Sequence, residues 1–101
     1  MLNWLEKEPK VAPERPEARE MDAAHQLLVH LAAKHGLSNL RHGHVPGEVI
    51  VEVDAGRSYF DVVSFENDVQ GTVGWRPDVV PSGAPDAKPG RPIGTADTSA
   101  A

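Results

Sequence analysis

Apolar residues recur along this chain in two different periods. Within residues 21–36, Ala24, Leu27, Leu28, Leu31 and Ala32 follow the i, i+3, i+4, i+7, i+8 spacing of one helical face. That spacing predicts an amphipathic helix over about residues 21–35. Asp22 stands where an acid favours the positive end of a helix, and His35 falls in the last turn. Gly36 followed by Leu37 matches a left-handed cap with its apolar contact. After a turn-rich link from Ser38 to Gly47 the period changes. The run Glu48-Val-Ile-Val-Glu-Val53 sets Val49, Val51 and Val53 on one side and Ile50 on the other, which predicts a strand buried mostly on both faces. A covered strand requires helices packed on a sheet.

Asp54-Ala-Gly56 supplies turn chemistry, and Ser58-Tyr-Phe-Asp61 has the S-x-x-D form of a capping box. Tyr59, Phe60, Val62 and Val63 favour strands by propensity. The spacing Phe60, Val63, Glu66, Val69 or Gln70, Val73 favours a helix, which Gly74 would stop. A last run, Arg76-Pro-Asp-Val-Val80, is bracketed by prolines and predicts a short strand at or near a sheet edge. The expected order is helix, strand, helix, strand, in an α/β (α+β) fold. Two strands make a marginal sheet, so the segment Asn39-Leu40-Arg41 or another chain is expected to add a third, which leaves homo-oligomerisation open.

Composition sets the limits of that domain. Of the 9 prolines among 101 residues, seven lie outside residues 21–80. Residues 1–20 are therefore expected to form a flexible charged arm, 21–80 the folded domain and 81–101 a disordered Pro/Gly/Ala tail. Within the arm, Trp4 between Leu2 and Leu5 is a segment that could dock on a partner or on the domain. The absence of cysteine excludes disulfides, thiolate zinc sites and a cysteine nucleophile. A net charge of −5, with only Lys34, Arg41, Arg57 and Arg76 as cations in residues 21–80, argues against direct nucleic-acid binding. No run approaches the 18 apolar residues of a membrane span and no basic segment leads into an apolar one, so the expected location is the cytoplasm, away from membranes.

Candidate chemistry is sparse. His25, His30, His35, His42 and His44 crowd into one window, yet the first three are five residues apart and turn about 140° per step around a helix. His42 and His44 could clamp a metal as H-x-H with Glu48 completing the set, giving a small histidine metal-binding module; ordinary surface histidines are the simpler alternative. Glu48, Glu52 and Asp54 fall on or just after the buried strand. Carboxylates on a rigid strand can hold metal or serve phosphate chemistry, and equally can line a solvated face. The chain carries no Ser/His/Asp set, phosphate loop or dinucleotide loop.

The runs LAAKHGLSNLR (31–41) and GEVIVEVDAGRSYFDVVSFENDVQGTVGWRPDVVPSGA (47–84) resemble the minimal nucleotidyltransferase (MNT) family, the partners of HEPN toxins. The matching pieces are His35-Gly36, Asn39-Leu40-Arg41, Val49 to Asp54, Gly56-Arg57-Ser58, Val73-Gly74 and Pro77-Asp78-Val79-Val80. The resemblance implies a small nucleotidyltransferase-like mixed sheet with two packed helices. It also implies a scheme in which a Gly-Ser turn cradles a triphosphate and an Asp-x-Asp pair with a third carboxylate holds divalent metal. Here the segment between Arg41 and Gly56 is shorter than the family's and lacks the Gly-Ser turn. The Asp-x-Asp positions fall on Pro46, which cannot ligate a metal, and Glu48, while the third falls on Asp78. The expectation is a degenerate family member that acts mainly by binding a protein, a HEPN-type RNase toxin in the first instance, with no cofactor. Trp4, Tyr59 and Trp75 are its candidate anchors. The alternative is a residual transferase of AMP from Mg2+-bound ATP, with Glu48 and Asp78 as catalytic and metal residues and Arg57 on the nucleotide.

Overall fold

A computed structural model describes residues 15–94; Trp4, residues 1–14 in general and residues 95–101 lie outside the described part. The first helical segment comes in two pieces, α1 (Ala18–Ala23) and α2 (His25–Lys34), broken at Ala24. It starts three residues earlier than the apolar spacing predicts because Glu17 and Glu20 cap it reciprocally, the Glu17 N–H donating to Glu20 Oε1 at 2.8 Å. Leu28, Leu31 and Ala32 are buried and Ala24 and Leu27 pack beside them, so the predicted face is the observed one.

The link after α2 is half strand. β1 (Leu37–His42) pairs antiparallel with β2 (Glu48–Val53), with a register shift between Ser38 and Arg41 where Asn39 takes a positive φ of 54°. The bulge sets two residues opposite one, and so brings Leu37 and Leu40, which strict alternation would point to opposite faces, both into the core. Asn is one of the few residues that enters this backbone region at little cost. β2 then pairs in parallel with β3 (Asp78–Pro81), giving a mixed three-stranded sheet in the order β1-β2-β3.

Between the parallel strands runs α3 (Tyr59–Val73), opened by the expected capping box: Ser58 Oγ accepts from the Phe60 N–H at 3.1 Å and the Ser58 N–H donates to Asp61 Oδ2 at 2.9 Å. Its buried face is Val62, Phe65, Glu66 and Val69, not the expected line from Phe60 and Val63. Phe60 lies two residues, about 200° of rotation, from Val62, so packing one exposes the other. The face with Phe65 and Val69 excludes more apolar surface from water, and Phe60 is left outside.

The chain beyond Pro81 stays on the domain through Gly94. Residues 82–89 carry it from the β3 edge of the sheet to the β1 edge, where residues 90–94 bond to β1 and Ile93 is buried. The folded unit therefore extends through Gly94, at least fourteen residues past the boundary expected at residue 80. One branched residue suffices, because Ile93 joins the cluster of Met21, Leu28, Leu31, Leu37, Leu40, Val49, Val51, Val62, Phe65, Val69 and Val79. Ile50 points away from that cluster and is still only 1% exposed, so the second face of the sheet is covered as well, as its sequence pattern predicts. Among the described residues no helix is long and apolar enough to cross a membrane.

Candidate functional site

Glu48 and Asp78 open the two parallel strands, and the register makes them direct neighbours. Gly47, just ahead, fixes this: its carbonyl accepts the Asp78 N–H at 2.8 Å, its φ is 88°, and a side chain there would run into Arg15 and the Pro16 carbonyl. Both carboxylates point to the Ile50 side of the sheet, and each has an internal partner. Glu48, with 13% of its side chain exposed, accepts the His44 N–H on Oε1 at 3.0 Å, and His44 Nδ1 lies 3.2 Å from the same oxygen. Asp78, 45% exposed, accepts from Arg15 Nη2 at 3.1 Å. A side chain at Gly43 would collide with the Glu48 carboxylate.

The remaining expected site residues are elsewhere. Arg57 follows the far end of β2, a strand length of roughly 17 Å from Glu48. There it packs over Gly36, at φ 73°, and reaches Asp61 Oδ1 at 3.1 Å. The Ser58 N–H, with Arg57 in support, holds the Asp61 carboxyl below the usual carboxylate range. His42 and His44 do not converge. β1 ends at His42, whose ring turns to the helices and meets Asp22 Oδ1 at 2.9 Å, while His44 sits in the hairpin turn on Glu48. Among the described residues no three His, Asp or Glu side chains form a group that could hold a metal ion.

Of the candidate anchors, Trp75 packs against the core and Tyr59 is 67% exposed. Its neighbour Phe60, which sequence spacing assigns to the core, is 76% exposed. The two form an aromatic step on the first turn of α3.

Two polar clusters have no counterpart in the sequence expectations. Asp22 accepts from Arg91 at both oxygens (3.2 and 2.9 Å), from the Gly94 N–H (2.6 Å) and pairs with His42, tying α1, β1 and the end of the described chain together. Burial alone would raise its pKa; the bonds from Arg91, Gly94 and His42 outweigh burial and hold it well below the usual carboxylate range. Glu66, buried on α3, accepts the Val79 N–H at 2.8 Å and Arg76 Nη2 at 3.0 Å, and Arg76 also reaches Asn67 and Gln70. A carboxylate at a core position of the helical period is the one signal that pointed to this cluster. Nothing local marked Asp22 and Arg91, whose separation of 69 residues hides the pair.

Comparison of the chain with protein families, with curated proteins and with solved structures finds no match.

Proposed function

We propose that this protein acts by binding a protein partner, through the aromatic step of Tyr59 and Phe60 at the head of α3. The observation that carries it is their joint exposure, 67% and 76%, in a chain that otherwise buries every other large aromatic of its described part wholly or in part. Aromatic side chains supply large contact area at low ordering cost and dominate interface energetics. Arg57 and Asp61 beside them give the step a polar rim. The resemblance to the minimal nucleotidyltransferases makes a HEPN-type RNase the partner to test first, in a cytoplasmic setting.

Co-expression with a panel of HEPN-type RNases tests this directly. The expected result is a stable complex with one of them that Tyr59→Ser with Phe60→Ser abolishes while the helical circular-dichroism signal is kept. A complex indifferent to both substitutions would move the interface elsewhere, and no complex with any member would discard this class of partner.

A second reading rests on the adjacency of Glu48 and Asp78. Two carboxylates side by side at the head of parallel strands are a start toward a divalent-metal site for nucleotide transfer. Each is already bonded within the chain, and Arg57 stands at the other end of the strand. Amide NMR spectra with Mg2+-ATP separate the readings: shifts at Glu48 and Asp78 support transfer, and an unchanged spectrum leaves the binding module.

A further inference from the structure

Between α2 and the β1 edge lies an apolar groove of about 370 Å3. Its helical wall is one stripe of α2 at i, i+4 and i+8, formed by His25, Val29 and Ala33. Opposite stand Leu37 and Leu40 of β1 with Ile93 of the segment that closes that edge. The hollow has a sequence origin. Positions 29 and 33 carry short side chains, a valine and an alanine, and neither reaches far enough to fill the gap. Val29 is left 47% exposed.

One polar side chain stands in this apolar lining with nothing to bond. The His25 imidazole is half-buried, and among the described residues no hydrogen bond or ion pair reaches it, whereas His35, His42 and His44 each meet a carboxylate. Every buried side-chain nitrogen or oxygen of the described part has a partner, so the unbonded ring nitrogens are open to solvent. The ring is seated on Gly94, whose N–H is held by Asp22 Oδ1 at 2.6 Å; a Cβ on Gly94 would come to 2.6 Å from the imidazole. Among the described residues no carboxylate lines the groove, in a chain with a net charge of −5.

Size and lining together define the occupant. Nine residues line the groove, against roughly 20–30 on each side of a stable protein interface, so it suits a small molecule. At about 30 Å3 for a water-sized group it holds roughly a dozen such groups, the size of an acid with about eight to ten carbons. Small-molecule sites are commonly apolar with a few placed polar groups that fix the orientation of the ligand. A neutral apolar guest would leave the imidazole unused, and a cation would meet no acid. A carboxylate accepts from the imidazole N–H and meets no like charge in the lining.

We propose that the groove between α2 and β1 binds a small hydrophobic monocarboxylate, its tail lying among Val29, Ala33, Leu37, Leu40 and Ile93 and its carboxylate accepting from the His25 imidazole. This site is separate from the aromatic step on α3 and does not depend on the protein partner proposed there.

Sodium octanoate and the neutral 1-octanol, titrated separately into the full-length protein and followed by amide NMR, test this. Octanoate should give saturable shifts centred on Val29, Ala33, Leu37 and Ile93. His25→Ala should weaken octanoate binding about tenfold, the worth of one hydrogen bond to a charged group, and 1-octanol binding less than about twofold. Ala33→Phe, at an exposed helix position, should keep the dispersion of the spectrum and remove the shifts given by both ligands, because the ring occupies the hollow. Octanoate shifts that are absent, or centred away from the groove, would overturn the proposal. So would equal octanoate affinity in the parent and His25→Ala, or octanoate shifts that persist unchanged in Ala33→Phe.

Discussion

The two edges of the sheet are closed by different means. At β3 a single buried carboxylate does it: Glu66 takes the outward N–H of Val79, and Pro81 has no N–H to offer. At β1 a second piece of backbone does it, clamped by Asp22. A side chain on a packed helix cannot leave without opening the core, whereas a strand segment on a surface connection can detach while most of the core stays closed. The edges thus have the same hydrogen-bonding problem and different liabilities: loss of Glu66 costs global stability, and loss of Asp22 costs the attachment of one segment.

The strongest test of that contrast is Glu66→Ala. It orphans the Val79 N–H and removes the partner of a partly buried Arg76, and should cost about 3 kcal/mol, read as a lower urea midpoint with an unchanged slope. Glu66→Gln, which keeps an acceptor for Val79, should cost about half as much. A loss under about 1 kcal/mol for the alanine variant would mean that β3 is held by its pairing with β2 alone.

Asp22→Asn should cost about 2 kcal/mol, since it weakens a charge-assisted bidentate pair while leaving an oxygen for the Gly94 N–H. The loss should be local. Amide exchange at Ile93 and Gly94 should accelerate while α3 keeps its protection; uniform acceleration would show that the segment is part of the global core. Asp22 also predicts a pH dependence. Its carboxyl is held below the usual range in the folded protein, so the folded state binds fewer protons there than the unfolded one. The stability it contributes is complete above about pH 4 and is lost as the pH falls further. Thermal melts of Asp22→Asn should therefore show a flatter acid limb than the parent.

What was legible in the sequence follows the range of each interaction. The capping box at Ser58, the strand Glu48–Val53 and the proline-bracketed last strand depend on neighbours within a few residues, and the structure has them where their patterns fall. β1 was legible only as the option that Asn39-Leu40-Arg41 adds a third strand, because the bulge at Asn39 scrambles the alternation that would announce its full extent. The continuation of the domain past residue 80 was hidden because a Pro/Gly-rich composition describes a connection without revealing that Arg91 and Ile93 beyond it have partners far upstream. At the candidate site, the adjacency of Glu48 and Asp78 accords with their matched places at the heads of two strands. The distance of Arg57 does not emerge from sequence order, since a loop after a strand lies at its opposite end. Phe60 shows the remaining limit: two helical faces two residues apart both read as apolar, and only packing decides which is buried.

Ser58→Ala tests the local end of this scale, removing an N-cap acceptor from α3 for a loss of about 1 kcal/mol without touching either edge.

The smallest expected effect is at Arg15→Ala. Both partners of the Arg15–Asp78 pair are about half exposed, so water and salt screen it and its loss should change stability by less than about 0.5 kcal/mol. Its interest lies in where it sits. Arg15 covers Gly47 and holds the one carboxylate that neighbours Glu48, so it is the group that a cation or a phosphate-bound metal would have to displace. If the Glu48 and Asp78 pair can take up Mn2+ at all, the Arg15→Ala variant should show paramagnetic broadening of those two amides at a lower Mn2+ concentration than the parent. Equal broadening in both proteins would mean that Arg15 does not guard the pair. No broadening in either would leave the two acids as structural neighbours, their lone pairs serving the hairpin turn through His44 and the start of the domain through Arg15.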